Sequence, residues 1–153
     1  MAIDVQKIET ERDLLGEGPL WDPRDEVLYW VDSNGCRIRR LDPRNGEVQN
    51  WSVPEQIGSM ALRDTGGAVI ALKSGFHFFS FENGTATPII DPEPGEKRTR
   101  FNDGKLDRQG RFVAGSMDMP GNSDFRGSLY RLDADLKVTR LRESVGVSNG
   151  PCF

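Results

Sequence analysis

The stretch Glu17-Gly18-Pro19-Leu20-Trp21-Asp22-Pro23 decides how this sequence folds, because its phase recurs. Ser59-Met60-Ala61-Leu62-Arg63-Asp64 opens alike, as does Asn102-Asp103-Gly104-Lys105-Leu106-Asp107. Asn149-Gly150-Pro151-Cys152-Phe153 begins a fourth copy. The copies start at 17, 59, 102 and 149, so they lie 42, 43 and 47 residues apart. Each full copy continues with an apolar strand: Val27–Val31, Ala68–Leu72 and Arg111–Gly115. A two-strand hairpin follows, turning at Asp42–Gly46, at Glu82-Asn83-Gly84 and at Asp133-Ala134-Asp135. Asn-Gly between alternating strands is a strong hairpin signal.

Each copy therefore reads as four short antiparallel strands, and its period matches the ~40–50 residues of a β-propeller blade. Evenly spaced strands could also build a sandwich, but the shared phase favours the propeller. The expectation is an all-β fold with blades at about 17–55, 57–91 and 100–145 and the start of a fourth. Propellers have typically 4–8 blades, so three do not close a ring. Either a missing half or a second chain would have to complete it. A strand over residues 4–10 is expected to belong to the closing blade.

The composition suits this reading. The 153 residues include 17 Gly and nine Pro, many for this length, which favours turns and short strands over long helices. Hydrophobic residues at 36% and charged residues at 29% mark a globular chain. The net charge of -4 is spread along the sequence, and no Lys/Arg run offers a nucleic-acid or membrane surface. The start, Met1-Ala2-Ile3-Asp4-Val5, has neither the basic nor the apolar part of a signal peptide, and no apolar run is long enough to span a membrane. Cys36 and Cys152 lie far apart without CxxC spacing, as expected of free thiols in a reducing cytosol, so a cytoplasmic location is expected.

The single histidine, His77, sits in the apolar run Gly75–Phe79 and reads as a packed or edge residue. One histidine excludes a His-rich zinc site and a HExxH motif. Any metal site must then use oxygen ligands.

The first strand of each propeller blade lines the central channel. Polar residues that open these strands converge there from different blades. The phase places Glu17, Ser59, Asn102 and Asn149 at those openings. A carboxylate at Glu17 and an amide oxygen at Asn149 suit a hard divalent cation. Taken singly, Glu17 could be a solvated turn residue and Asn149-Gly150 an ordinary turn; their common phase argues for a site. Arg100 is the kind of group that holds sugar hydroxyls or a carboxylate.

The segments Glu17-Gly18-Pro19-Leu20-Trp21, Arg100-Phe101-Asn102-Asp103-Gly104-Lys105 and Ser148-Asn149-Gly150-Pro151 resemble motifs of the gluconolactonase, regucalcin and luciferin-regenerating-enzyme family. The resemblance runs from about Leu14 to Phe153, and bacterial sugar lactonases are the most similar members. It implies a six-bladed propeller of which this chain is the N-terminal half. It implies hydrolysis of a sugar lactone of the gluconolactone, arabinonolactone or galactonolactone type, a step in carbohydrate metabolism, with one divalent ion: calcium, zinc, manganese or magnesium. Glu17 and Asn149 match two metal ligands of the family, and Arg100 and Asn102 match residues that hold substrate. Asp118 is the nearest counterpart of a further acidic substrate contact. A third metal ligand, an aspartate that also serves as general base, lies in a later blade, beyond Phe153. Residues 1–153 alone are accordingly expected to be inactive. A calcium-binding regulatory propeller and an organophosphate ester hydrolase are the alternatives.

Overall fold

The computed structural model describes residues 3–5, 7–8, 10–119 and 124–153. These contain twelve strands and no helix. The first sheet comprises β1 (Gly16–Asp22), β2 (Val27–Asp32), β3 (Arg37–Asp42) and β4 (Glu47–Ser52). The second comprises β5 (Ile57–Leu62), β6 (Ala68–Leu72), β7 (Gly75–Ser80) and β8 (Thr85–Ile90). The third comprises β9 (Thr99–Leu106), β10 (Phe112–Asp118), β11 (Gly127–Leu132) and β12 (Val138–Val145). In every sheet, spatial order follows chain order and all neighbours are antiparallel. This meander is the blade of a propeller, and three blades form an arc.

Local chemistry sets these boundaries. At the β3–β4 turn the Gly46 N–H donates to the Asp42 carbonyl at 2.8 Å, and Gly46 takes a φ of 75°, which a side chain would resist. The β7–β8 turn repeats the device, with Gly84 N–H donating to Ser80 O at 2.9 Å. Strands β2 and β6 are buried almost throughout, which explains their runs of Val, Ile, Leu and aromatic residues.

Two apolar layers hold the blades together. Val27, Tyr29, Val31 and Ile38 of the first sheet meet Ile57, Met60, Ile70, Leu72 and Phe79 of the second. Ala61, Ala71 and Phe76 of the second meet Phe101, Phe112, Ala114 and Tyr130 of the third. Aromatic rings knit both layers: Tyr29 and Phe81 lie 5.2 Å apart between centroids, and Phe76 and Phe101 4.9 Å. Such tilted pairs add about 0.5–1.5 kcal/mol beyond their buried area. Strand β5 adjoins β1 on one side and β9 on the other, so these three form the hub, while β4, β8 and β12 are mostly exposed. At the hub the approach reaches the backbone: a Cβ added to Gly58 would stand 2.3 Å from Asn102 O and 2.6 Å from Phe101 C.

The far face of the first sheet, away from the second, is partly covered by the segment before β1. Arg39, buried there, donates from Nη2 to Thr10 Oγ1 at 2.6 Å, from Nη1 to Glu11 O at 2.7 Å and to the Asp13 carboxylate, and from Nε to Asn50 Oδ1 at 2.9 Å. Trp30 adds its indole N–H to Asp13 Oδ2 at 2.7 Å. Within the segment 4–10, where a closing-blade strand is expected, Asp4, Val5, Lys7, Ile8 and Thr10 carry no strand here, and Gln6 and Glu9 lie outside the described residues. The closing blade with which it would pair is not among the three sheets.

Asp32 fastens the same segment just ahead of Glu17. Its Oδ1 accepts the N–H groups of Leu14 (3.1 Å), Leu15 (3.0 Å) and Gly35 (3.0 Å), and Oδ2 accepts Arg37 Nη2 at 2.8 Å. Burial pushes this carboxyl pKa upward. The Leu15 N–H, the Arg37 guanidinium and the Gly35 and Leu14 N–H groups outweigh burial and hold it at about 2, below the ordinary 3.8. A depressed carboxyl contributes stability that is complete above its unfolded pKa and disappears as pH falls through the folded one. Asp32→Asn should therefore cost about 2 kcal/mol at neutral pH, and its deficit against wild type should vanish as pH falls from about 4 to about 2. Urea denaturation across that range measures this.

Candidate active site

Each hub strand carries a β-bulge at its opening. In the first sheet Glu17 pairs with Val31 and Leu20 with Tyr29, so β1 advances three residues against two on β2. In the second, Ile57 pairs with Leu72 and Ser59 with Ala71, leaving Gly58 extra. In the third, Phe101 pairs with Ser116 and Gly104 with Ala114. One extra residue inverts the facing of everything beyond it. Ile57 accordingly packs in the layer toward the first sheet, whereas Ser59 shares a face with Ala71, which packs toward the third. Bulges re-aim side chains beside active sites, and here they fall at Glu17, Ser59 and Asn102. A glycine stands at each: Gly18, with a φ of 59°, Gly58 and Gly104. An isolated glycine within a strand pattern is the sequence signal that reveals such a bulge, and the repeat phase alone does not show it.

Arg100 and Asn102 form one buried unit. Arg100 Nη1 donates to Phe101 O at 2.9 Å and to Asn102 Oδ1 at 3.0 Å. Asn102 Nδ2 donates to Ser148 O at 2.7 Å. Burial pushes the Arg100 pKa down, and the Glu17 carboxylate, acting through space, opposes it. Glu17 of the first blade thus shares an electrostatic environment with Arg100 of the third. The segment carrying Asn149 is held from both sides: Ser148 O by Asn102, and the Gly150 N–H by Asp103 Oδ2 at 2.8 Å. Asp103 and Ser148, which sequence reasoning did not assign, are the residues that place Asn149 against β9.

Glu17 is half-buried and Asn149 exposed. Their chain neighbours Gly18, Pro19, Gly150 and Pro151 line one cavity of about 350 Å³, with Met60, Asp103 and Lys105. The donor set suits a hard divalent ion in kind, being a carboxylate and an amide oxygen, and falls short in number, since Ca²⁺ takes 6–8 oxygens. Among the described residues no group of three or more His, Cys, Asp and Glu side chains is arranged to hold an ion. Glu17 and Asn149 could hold the ion only with further ligands.

Asp118 stands apart from this unit. It pairs with Thr99, while Arg100 pairs with Met117, so the two side chains leave the third sheet on opposite faces. Asp118 Oδ2 accepts the Arg126 N–H at 3.2 Å, and its buried Oδ1 has no partner among the described residues. Ser59 is likewise buried, its Oγ without a partner among the described residues and close against Gly104. His77 is buried in β7, its Nδ1 3.1 Å from Gly75 O; a carbonyl only accepts, so Nδ1 carries the proton in this contact. The fold places His77 in a packed strand, opposite Ile70.

Removing the Asn102 amide should release the segment that carries Asn149. In Asn102→Leu, hydrogen exchange of the Gly150 amide, which donates to Asp103, should rise about tenfold, the loss of one net hydrogen bond of about 1–1.5 kcal/mol. Exchange within β6 should stay as in wild type. Exchange mass spectrometry reads both.

Comparison with known proteins agrees with this architecture. Residues 15–153 match the SMP-30/gluconolactonase/LRE-like region. A 6-deoxy-6-sulfogluconolactonase of Pseudomonas putida is 39% identical over 92% of this chain and 48% of its own length. A regucalcin of Xenopus laevis is 35% identical over 97% of this chain and 51% of its own. Among solved structures, a calcium-binding protein, regucalcin, from Agrobacterium tumefaciens superposes with a TM-score of 0.82 at 25% identity, over 90% of this chain and 46% of that one. The chain thus spans about half the length of the relatives it matches, and three blades over half a length accord with a six-bladed ring. It belongs to the SMP-30/gluconolactonase/LRE-like family.

Proposed function

We propose that the complete protein hydrolyses a sugar lactone with the help of one divalent ion. The observation that carries this reading is the clustering of Arg100, Asn102 and the Ser148–Gly150 segment at the bulged hub, within electrostatic reach of Glu17. Relatives named 6-deoxy-6-sulfogluconolactonase and, in Azospirillum brasilense, L-arabinolactonase support the substrate class. The solved neighbour described as calcium-binding supports the ion.

In this reading Glu17 and Asn149 contribute oxygen ligands. A bound divalent ion supplies a Lewis acid for the lactone carbonyl. Arg100 binds the sugar: Nη1 is committed to Phe101 O and Asn102 Oδ1, leaving Nε and Nη2 for ring hydroxyls. Burial strengthens those contacts because little water competes for them. Asn102 sets the direction of the guanidinium through its Oδ1. None of these groups is a general base, and the aspartate that the family resemblance implies is not among these residues. Asp118, on the opposite face from Arg100, makes no contribution to this constellation without a rearrangement of β10.

Gluconolactone turnover by the complete protein should cease with chelator and return with Ca²⁺, Mn²⁺ or Zn²⁺. Glu17→Gln should weaken metal binding and turnover together by at least about 10–100-fold, the loss typical of even an outer-shell partner. Metal titration and lactone hydrolysis, assayed in parallel, test this. Metal binding without turnover would instead favour a calcium-binding regulatory role, and faster turnover of a phosphotriester would favour the organophosphate hydrolase.

Residues 1–153 expressed alone should hydrolyse lactone at least about 100-fold more slowly than the complete protein, since lacking a base costs ~10²–10⁴. Lactone assays on a monodisperse monomer measure this; activity confined to a dimer would mean that a second copy completes the ring.

A further inference from the structure

The connector between β8 and β9, residues 91–98, carries a carboxylate that the proposed chemistry does not use. Glu93 accepts hydroxyl hydrogen bonds from three successive strands of the third blade. Its Oε2 takes Thr99 Oγ1 of β9 at 2.5 Å. Its Oε1 takes Ser116 Oγ of β10 at 2.5 Å and Tyr130 OH of β11 at 2.9 Å. Charge-assisted hydrogen bonds of this kind are short and roughly twice as strong as neutral ones. The donors are themselves well fixed. Ser116 and Thr99 are buried, and Ser116 Oγ also accepts the Ser128 N–H at 2.8 Å. Burial raises the Tyr130 hydroxyl to about 12, so it remains a donor at neutral pH.

The location of these anchors gives them a function. Thr99 immediately precedes Arg100 in the chain, and Ser116 pairs with Phe101. Thr99, Phe101, Ser116 and Asp118 share one face of the third sheet, and Arg100 leaves from the other. The carboxylate therefore grips the opening of β9 from behind, one residue before the bulge that aims Asn102. The connector (Asp91-Pro92-Glu93-Pro94-Gly95-Glu96-Lys97-Arg98) is otherwise tied mainly at its far end, where Arg98 O accepts the Met119 N–H at 2.8 Å and Arg98 Nη2 donates to Asp124 at 2.9 Å.

We propose that Glu93 is a positioning residue for substrate binding, acting through Thr99 and Ser116 on the geometry of Arg100 and Asn102. The inference rests on the reading of Arg100 and Asn102 as substrate-holding groups. It makes Glu93 part of the specificity apparatus without contact to substrate.

The test uses the complete protein with gluconolactone as probe. Glu93→Ala should raise KM about tenfold while kcat stays within about twofold, the signature of lost ground-state and transition-state binding alike. Metal affinity should be unchanged, since Glu17 and Asn149 are untouched. Glu93→Gln, which keeps an acceptor oxygen, should recover part of the KM. Combining Glu93→Ala with Arg100→Ala should add little to the KM of Arg100→Ala alone. A folded Glu93→Ala with wild-type KM, even one with a lowered Tm, overturns the proposal. Should Glu93→Ala fail to fold, Tyr130→Phe and Ser116→Ala each delete one donor: a raised KM in both supports the clamp, and wild-type KM in both overturns it. If Arg100→Ala itself leaves KM unchanged, the functional reading of the site fails and the proposal with it. If Arg100→Ala raises KM and Glu93→Ala does not, the clamp alone fails.

Discussion

Everything in this arc depends on how closely the hub strands approach. Where β5 meets β9 there is no room for a side chain: the space beyond the Gly58 Cα is filled by the Asn102 and Phe101 backbones. Blades can be wide at the rim, where β4, β8 and β12 face solvent, but they must converge at the axis. Glycine at 58 and 104 allows that convergence, and the two apolar layers outward of it then close on each other. The same contact delivers chemistry. It sets the backbone of the third blade, at the residues that hold Asn102, directly against the second.

The architecture was legible because it is repetitive. The phase of Glu17, Ser59 and Asn102 locates three hub strands, and the turn chemistry at Asp42–Gly46 and Glu82–Gly84 locates the hairpins between them. The segment before β1 depends on groups that its own sequence does not name. A strand over residues 4–10 needs a partner, and the sequence of this segment cannot say whether one is present. What holds the adjoining residues is instead a buried arginine, Arg39, sitting in a strand whose sequence Arg37-Ile38-Arg39-Arg40 gives no hint of which guanidinium turns inward. The choice is made by the acceptors Asp13, Glu11 O and Thr10 Oγ1, which are distant in sequence.

The site was legible in its residue types and less so in its geometry. Arg100 and Asn102 were found by motif, and the fold binds them to each other and to Ser148. Asp118 was chosen by nearness along the chain, and strand pairing then decides its face by parity, a distinction that one residue of register reverses. The roles of Asp103 and Glu93 were invisible for another reason. Each acts through hydrogen bonds to groups 47, 23 or 37 positions away, and no local pattern encodes such separations. The bulges lie between these cases: their glycines are plain in the sequence, but only strand pairing shows that all three occupy one level of the hub.

The shared bulge has a consequence for how such a protein can change. Because each bulge inverts the facing of its strand, the residues before and after it answer to different demands. Ile57, before the bulge of β5, packs toward the first sheet, and Ser59, just after it, shares a face with Ala71, which packs toward the third. A substitution at the hub leaves that facing as it is, whereas deleting the single inserted residue would turn one side of the strand over and exchange its two surroundings. Change in this arc is constrained by register, and the unit of that constraint is a single inserted residue per strand.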